Sequence, residues 1–231
     1  MTTILKTKNL SKVYGEGVTA VEALKPTNLD IKKGEFVVLV GPSGSGKSTL
    51  LQLLGGIDTP SGGKVILDGE DVYSLSEKKL SIFRRKKIGF IFQGFNLIPI
   101  FSAEENVTLP ILLGEEEVDQ KYIDEIFELL GMDTRKNHLP NALSGGQQQR
   151  VAIGRALANK PSIIFADEPT GNLDSKTSQE VLDLLKESIK KYNQTMVMVT
   201  HDPKLKDYAD RIITIKDGKI LEEGWGINEK L

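Results

Sequence analysis

Apolar residues form three short continuous runs along the chain: FVVLV at 36–40, IIFA within 162–168, and MVMV within 195–200. None of them alternates with polar residues, as a strand with one solvent-exposed face would. Continuous apolar runs of this length are typical of strands that are buried on both faces of a parallel sheet. The three runs therefore predict strands at the centre of such a sheet.

Other patterns predict the remaining elements. Strands are expected at 4–14, 19–31, 64–69 and 88–93, with a hairpin over 211–224 that turns at Asp217 and Gly218. Helices are expected from Lys47, from Ser144, at about 175–192, and around Ile123, Ile126, Phe127 and Leu130, which recur at helical spacing. Alternating strands and helices predict an α/β fold, and the region after residue 93 predicts a helical lobe inserted into it.

Length and composition narrow the class of protein. The 231 residues suit a single domain, 1–231, with a core lobe at about 1–93 and 161–231 and a helical lobe at about 94–160. A net charge of −2 argues against a nucleic-acid partner, and the absence of cysteine excludes disulfides and cysteine-ligated metals. Because no apolar run is long enough to cross a bilayer, we expect a cytoplasmic protein that reaches the membrane only through a partner.

The stretch GPSGSGKST follows the first apolar run and begins a predicted helix. It fits the pattern G-x-x-x-x-G-K-[ST], in which backbone N–H groups and the positive end of a helix face the phosphates of a nucleotide. Lys47 is expected to reach the β- and γ-phosphates, and Ser48 to bind Mg²⁺. A glycine-rich turn without a ligand is the alternative. The predicted nucleotide-contacting residues are Gly41, Pro42, Ser43, Gly44, Ser45, Gly46, Lys47, Ser48 and Thr49.

Polar residues end several predicted strands, at the edge where open α/β sheets bind ligands. Asp167 is expected to hold Mg²⁺ through water, and Glu168 to act as general base on the attacking water. Gln93 is expected to sense Mg²⁺ or that water, and His201 to hydrogen-bond the γ-phosphate. Taken alone, two acidic residues at a strand end are more typical of a solvated turn or a helix cap, and a lone histidine is more typical of a capping or surface residue. Together with the glycine loop, Asp167 and Glu168 predict a nucleoside triphosphatase.

The stretch LSGGQQQRVAIGRALA at 143–158 predicts a second helix whose N-terminus has the features of an anion-binding site. Ser144 and Gln147 have the spacing of a capping box. Gly145 and Gly146 weaken the helix, since glycine costs about 1 kcal/mol relative to alanine within a helix. Two explanations stay open: the first turn packs tightly against a neighbouring element, or a ligand approaches its backbone closely.

LSGGQ resembles the signature motif of the ATP-binding cassette (ABC) family, and it lies between the glycine loop and the acidic strand end, as it does in that family. The resemblance covers nearly the whole chain. It implies a P-loop NTPase fold, with a RecA-like core, an N-terminal antiparallel β subdomain and an inserted α-helical subdomain. It also implies a homodimer in which two ATP molecules are each held between the glycine loop of one subunit and the signature of the other.

The resemblance also implies roles for individual residues. Tyr14 is expected to stack on adenine, and Asp174, in the stretch GNLDS, to lie at the dimer interface. Gln93 corresponds to the glutamine of the loop between the lobes, and His201 to the switch histidine. The residues expected to contact the γ-phosphate of the ATP on the other subunit are Ser144, Gly145, Gly146 and Gln147.

The stretches GFIFQGFNLIP, ENVTLP and ADEPTGNLDS resemble one branch of the family, which serves lipoprotein-release, macrolide-efflux and antimicrobial-peptide-resistance transporters. This implies that ATP hydrolysis powers a separate membrane permease. One alternative is an ATPase whose membrane complex transmits force or signals without export. Another is a DNA-repair ATPase of the family, but that type carries a long coiled coil, and no heptad run is present here.

Overall fold

The computed structural model describes residues 2–200 and 209–225. The chain divides into two compact units, Met1–Ser81 with Thr195–Leu231, and Ile82–Gln194. Helix α2 (Glu77–Lys87) contains the boundary between the units. The division of the chain into a core lobe and a lobe at about 94–160 stays a prediction.

The first unit contains an antiparallel sheet built on one long strand, β1 (Thr3–Tyr14). Strands β2 (Val21–Thr27) and β3 (Asp30–Lys32) pair with opposite ends of β1. Strand β5 (Gly62–Leu67) also pairs with β1, and the short β6 (Glu70–Asp71) pairs with β5.

The prediction of one continuous strand at 19–31 is wrong, because this segment divides into β2 and β3. The buried hydroxyl of Thr7 donates to the carbonyl of Thr27 at 3.0 Å and accepts from the N–H of Leu29 at 2.8 Å. These side-chain hydrogen bonds satisfy backbone groups that a regular strand ladder would otherwise have to pair. The break lets the two strands pair with different parts of β1.

The first unit also contains four strands that lie side by side in the order β11 (Lys219–Trp225), β10 (Arg211–Lys216), β4 (Phe36–Val40) and β9 (Met196–Val199). Strand β4 pairs in parallel with β9 on one side and with β10 on the other. The predicted buried runs at 36–40 and 195–200 are confirmed, since β9 and the centre of β4 are at most 1% exposed. Strand β11 completes the predicted hairpin, whose two-residue turn has positive φ at both Asp217 and Gly218.

The second unit combines a pair of parallel strands with four complete α-helices. Strands β7 (Ile88–Phe92) and β8 (Ile163–Asp167) lie in register, so that Phe92 is paired with Asp167. The helices are α3 (Ala103–Leu112), α4 (Gln120–Leu130), α5 (Gly145–Leu157) and α6 (Ser175–Tyr192). The predicted helices from Ser144 and at about 175–192 are confirmed.

Helix α5 lies at the centre of the second unit and contacts α3, α4, α6 and β7. A Cβ on Gly154 would lie only 2.9 Å from Cδ1 of Leu130 and 3.1 Å from Cγ2 of Val107. The absence of a side chain at this position therefore lets α5 approach its neighbours closely. Within the part of the chain that the structure describes, no helix is both long and apolar enough to cross a membrane.

Candidate functional site

The glycine loop connects β4 to helix α1 (Lys47–Leu54) and depends on glycine at two positions. Gly41 has φ 151°, and a Cβ there would lie 2.0 Å from the carbonyl oxygen of Ile215. Gly46, the N-cap of α1, has φ 100°, and a Cβ there would lie 2.3 Å from the carbonyl oxygen of Ala23. Any side chain would clash with backbone at both positions, so neighbouring strands hold the loop in this curled conformation.

Lys47 reaches back across the glycine loop. Its ammonium donates hydrogen bonds to the carbonyls of Gly41 at 2.9 Å and Pro42 at 2.7 Å. The hydroxyl oxygen of Ser45 is buried and has no hydrogen-bond partner among residues 2–200 and 209–225. A buried lysine beside an unsatisfied hydroxyl at the N-terminus of a helix fits a phosphate, which accepts hydrogen bonds from both.

The other predicted residues of the glycine loop differ in exposure. Pro42, Ser43 and Gly44 are exposed, whereas Ser48 and Thr49 are half-buried in the first turn of α1. The α1 residues that face the core are Leu50, Leu51, Leu53 and Leu54, and they are fully buried. The loop is therefore open to solvent on one side and fixed to the core on the other.

Tyr14, at the end of β1, is held by two residues that sequence analysis did not identify. Its hydroxyl donates a 2.6 Å hydrogen bond to Asp58, and the ammonium of Lys12 lies 4.7 Å from the centroid of its ring. Lys12 also forms a 2.7 Å ion pair with Asp58. Partial burial and the hydrogen bond to Asp58 raise the pKa of Tyr14. Partial burial acts to raise the pKa of Asp58 as well, but its hydrogen bonds with Lys12 and Tyr14 hold that pKa below its ordinary value.

Gln93 and Asp167 lie close together in the second unit. Gln93 follows Phe92 at the end of β7, and Phe92 is paired with Asp167 at the end of β8. The side-chain amide of Gln93 lies 3.3 Å from the amide oxygen of Asn172, whose own amide donates to the Gln93 carbonyl at 3.0 Å. A Cβ on Gly171 would lie 2.6 Å from the Gln93 amide nitrogen, so this glycine leaves room for the Gln93 side chain.

Glu168 has a strained backbone directly after β8. Its φ is 45°, in the left-handed region that costs a residue other than glycine roughly 1–2 kcal/mol. The carbonyl of Glu168 accepts a 3.0 Å hydrogen bond from the N–H of Gly171, which closes a tight turn. Strain of this kind is common at functional sites, where the surrounding structure holds a side chain in one orientation.

The capping box predicted at the start of α5 is confirmed. The hydroxyl of Ser144 accepts from the N–H of Gln147 at 3.3 Å, and the side chain of Gln147 accepts from the N–H of Ser144 at 2.9 Å. Within the described part of the chain, the close approach to Gly146 comes from α6, because a Cβ there would lie 2.3 Å from Cγ2 of Thr177. At Gly145 the space is less restricted, with Leu173 3.4 Å from such a Cβ.

Asp174 is the N-cap of α6. Its carboxylate accepts hydrogen bonds of 3.1 Å from the N–H groups of Lys176 and Thr177, and one of 2.6 Å from the Thr177 hydroxyl. This role is not among the predictions made for Asp174, although an aspartate directly before a helical pattern is a common N-cap signal. Thr177, which donates to Asp174, also packs against Gly146, so the first turns of α5 and α6 are in contact.

The remaining predicted site residues lie in different parts of the chain. His201 lies outside the residues that the structure describes, and Ser48 belongs to the first unit, whereas Gln93 and Asp167 belong to the second. No group of three or more histidine, cysteine or acidic side chains that could hold a metal occurs within residues 2–200 and 209–225. Such a group is not required for Mg²⁺, which usually keeps several waters and takes few protein ligands.

The chain is similar to known proteins over most of its length. A family model described as ABC transporter matches residues 24–171. An uncharacterized ABC transporter ATP-binding protein of Methanocaldococcus jannaschii is 51% identical over 221 residues, which are 95% of this chain and 98% of that protein. A lipoprotein-releasing system ATP-binding protein of Cytophaga hutchinsonii is 45% identical over 96% of this chain and 100% of its own length.

A solved structure is similar over the same extent. It is the dimeric post-hydrolysis state of the ATP-binding cassette MJ0796 of Methanocaldococcus jannaschii, bound to ADP and Pi. Its TM-score is 0.86 and its sequence identity is 46%, over 96% of this chain and 98% of that chain. The P-loop NTPase fold with an antiparallel β subdomain, expected from the sequence, is confirmed by this similarity.

Proposed function

This chain belongs to the ABC transporter family and is one of its ATP-binding ATPase subunits, and from that premise we propose how its residues hold and hydrolyse ATP. The glycine loop binds the phosphates, with Lys47 moving from the loop carbonyls to the β- and γ-phosphates. Support comes from the burial of Lys47 and from the unsatisfied hydroxyl of Ser45 beside it. Tyr14 stacks on the adenine through the exposed part of its ring.

Ser48, Gln93 and Asp167 would hold Mg²⁺, and Asp167 would do so through water. Hydroxyl, amide and carboxylate oxygens suit this hard cation, which supplies charge neutralisation for the phosphates when it is bound. The register of β7 and β8 supports the proposal, because it places Gln93 next to Asp167 at the carboxyl ends of neighbouring strands.

Glu168 acts as the general base that accepts a proton from the attacking water, and His201 orients the γ-phosphate or that water. The strained turn at Glu168 supports this role, because a backbone held at φ 45° fixes the direction in which the carboxylate leaves the strand end. General bases are effective only when they are held within hydrogen-bond reach of the proton that they remove.

The functional unit is a homodimer with two ATP molecules at its interface. Ser144, Gly145, Gly146 and Gln147 of each subunit contact the γ-phosphate of the ATP on the other subunit, and Asp174 lies at the interface. Support comes from the dimeric structure of the similar cassette MJ0796 and from the exposure of Ser144 at the start of α5. Hydrolysis removes the γ-phosphate contacts and lets the subunits separate.

The dimer powers a separate permease and lies in the cytoplasm at the inner face of the membrane. The loop after Gln93 and the residues at about 94–160 pass the closure of the dimer to that permease. Similarity to a lipoprotein-releasing system ATP-binding protein supports a permease of the branch that serves lipoprotein release, macrolide efflux and antimicrobial-peptide resistance. Purification of the native complex, followed by ATPase assays with lipoproteins, macrolides and peptides, distinguishes these substrates.

A substitution at Glu168 tests the hydrolytic mechanism. Glu168→Gln keeps the size and hydrogen-bonding capacity of the side chain and removes its basicity. We expect ATP hydrolysis to fall about 10²–10⁴-fold, while light scattering shows a dimer that forms with Mg-ATP. Glu187→Gln, at an exposed position on α6, is the matched control and retains normal turnover. Near-normal hydrolysis by Glu168→Gln would exclude the proposed general base.

A further inference from the structure

Lys12, Tyr14 and Asp58 contact one another in the first unit. The Tyr14 hydroxyl donates to one carboxylate oxygen of Asp58 at 2.6 Å, and the Lys12 ammonium contacts the other at 2.7 Å. The same ammonium lies 4.7 Å from the centroid of the Tyr14 ring. The tyrosine is therefore held both at its hydroxyl and at one face of its ring.

Asp58 itself is fixed to helix α1. It lies four residues beyond the end of the helix. The hydroxyl oxygen of Tyr73 lies between the carbonyl oxygens of Leu53 and Asp58, at 2.5 and 2.8 Å, within hydrogen-bond distance of both. The N–H of Ile57 also donates to the carbonyl of Gln52 at 2.9 Å. Since α1 begins at Lys47, one short helix connects the phosphate loop to the residue that holds Tyr14.

Lys12 restricts which face of the ring can be used. Its side chain is only 12% exposed, and the ammonium over the ring occupies one face by a cation–π interaction. Tyr14 nevertheless remains 40% exposed, so Lys12 leaves part of this residue accessible. The pairing of β1 with β2 is irregular between Lys12 and Val13, and such bulges redirect side chains at the edge of a site.

We propose that Lys12 and Asp58 are positioning residues for nucleotide binding, which fix the ring of Tyr14 so that its outer face is ready to stack on a purine base. This inference rests on the proposed stacking role of Tyr14. Neither residue touches the nucleotide; both act by preventing the ring from rotating away before the base arrives. Preorganisation of this kind increases affinity because the ring loses its freedom during folding and not during binding.

The test compares the affinity for ADP, which contains a purine base, with the affinity for inorganic tripolyphosphate, which contains none. The variants Lys12→Met and Asp58→Asn keep the size of the side chain and remove its charge. Asp71→Asn is the control, because Asp71 forms a similar ion pair with Lys64, at 3.0 Å, in the same unit. Isothermal titration gives the dissociation constant of each full-length protein for ADP, and competition gives that for inorganic tripolyphosphate.

Lys12→Met and Asp58→Asn are expected to raise the ADP dissociation constant about 3–10-fold, a part of what a base–aromatic stack contributes. The constant for tripolyphosphate stays within about 2-fold, since phosphate binding does not use the ring. Asp71→Asn leaves both constants unchanged. Equal weakening of both ligands would show that the cluster acts only through the stability of α1, and no change in ADP binding would also overturn the proposal.

The variant Tyr14→Ala distinguishes the positioning role of Lys12 and Asp58 from the stacking role of Tyr14. If stacking occurs, Tyr14→Ala weakens ADP binding, and adding Asp58→Asn to Tyr14→Ala causes no further loss. Weaker ADP binding by Tyr14→Ala with normal binding by Lys12→Met and Asp58→Asn would overturn only the positioning role. Unchanged ADP binding by Tyr14→Ala would remove the stacking role itself.

Discussion

The guanidinium of Arg155, near the end of α5, donates a 2.8 Å hydrogen bond to the backbone carbonyl of Phe95. A second hydrogen bond goes to the carbonyl of Asn96. Phe95 and Asn96 both have positive φ, 59° and 50°, which is unfavourable for residues other than glycine. Arg155 thus stabilises a strained turn that begins two residues after Gln93. Its hydrogen bonds connect this turn to helix α5, which begins with the signature residues.

We expect Arg155→Met to destabilise the protein through this turn. Loss of two hydrogen bonds from a charged donor, which leaves both carbonyls without that partner, should lower the free energy of unfolding by about 2–3 kcal/mol. Urea denaturation measures this change. Arg135→Met is the control, because Arg135 is exposed and should change stability by less than about 0.5 kcal/mol. Equal stability of the two variants would contradict the role assigned to Arg155.

Gly146→Ala distinguishes the two explanations for the glycines at the start of α5. The new methyl group would meet Cγ2 of Thr177 at 2.3 Å, and overpacking of this kind costs about 1–3 kcal/mol. The second substitution Thr177→Ser removes that methyl and keeps the hydroxyl that bonds to Asp174, so it should restore much of the stability in thermal unfolding.

The double variant Gly146→Ala with Thr177→Ser then tests whether a nucleotide approaches the backbone at Gly146. The measurement is its ATPase activity. Normal activity means that Gly146 is required for packing against α6 alone. Low activity in a folded double variant supports close approach of nucleotide to the signature backbone. If Thr177→Ser restores no stability to Gly146→Ala, the packing explanation itself is wrong.

We expect Asp174→Ala to lower the free energy of unfolding at neutral pH and to have a smaller effect at acidic pH. Hydrogen bonds from Thr177 lower the pKa of Asp174 from its ordinary value of 3.8. A carboxylate with a lowered pKa in the folded state stabilises the protein fully above its ordinary pKa, and that contribution is lost as the pH falls through the lowered value. The stability difference between wild type and Asp174→Ala should therefore be largest near neutral pH and decrease below about pH 4.

Asp174→Asn is the matched variant, because asparagine is also a good N-cap and does not titrate. Unfolding experiments between neutral and acidic pH should show that it retains most of the stability of wild type at neutral pH. A difference between wild type and Asp174→Ala that does not change with pH would contradict the capping role. If Asp174→Asn is stable but loses ATP-dependent dimerisation, the residue also acts at the interface.

Mixing two inactive variants tests whether ATP sites are shared between subunits. Lys47→Ala disables the phosphate loop and Ser144→Arg disables the signature, so each homodimer is inactive. Random mixing yields dimers with one undamaged site, and about a quarter of all sites in the mixture should be intact. Recovery of ATPase activity in the mixture is expected, and activity no higher than that of either variant alone would contradict the shared site.

Local sequence patterns predicted the parts of the fold that depend on neighbouring residues. The buried strand at 36–40 and the hairpin turn at Asp217 and Gly218 are found where they were expected, because burial on both faces and positive φ impose requirements that can be recognised within a few residues. The prediction of one strand at 19–31 is wrong, and the backbone groups at the interruption hydrogen-bond the hydroxyl of Thr7, a residue on a different strand.

The family, the glycine loop, the acidic strand end and the capping box of Ser144 and Gln147 can be recognised from the sequence, because each depends on residue types at a short, regular spacing. The residues that surround them become apparent only in the folded protein. Asp58 meets Tyr14 from 44 positions away and Arg155 reaches Phe95 across 60, and such contacts form only after the chain has folded. The spacing of residues in a motif can therefore be read locally, whereas the groups that hold a motif in place come from distant segments and have no local pattern.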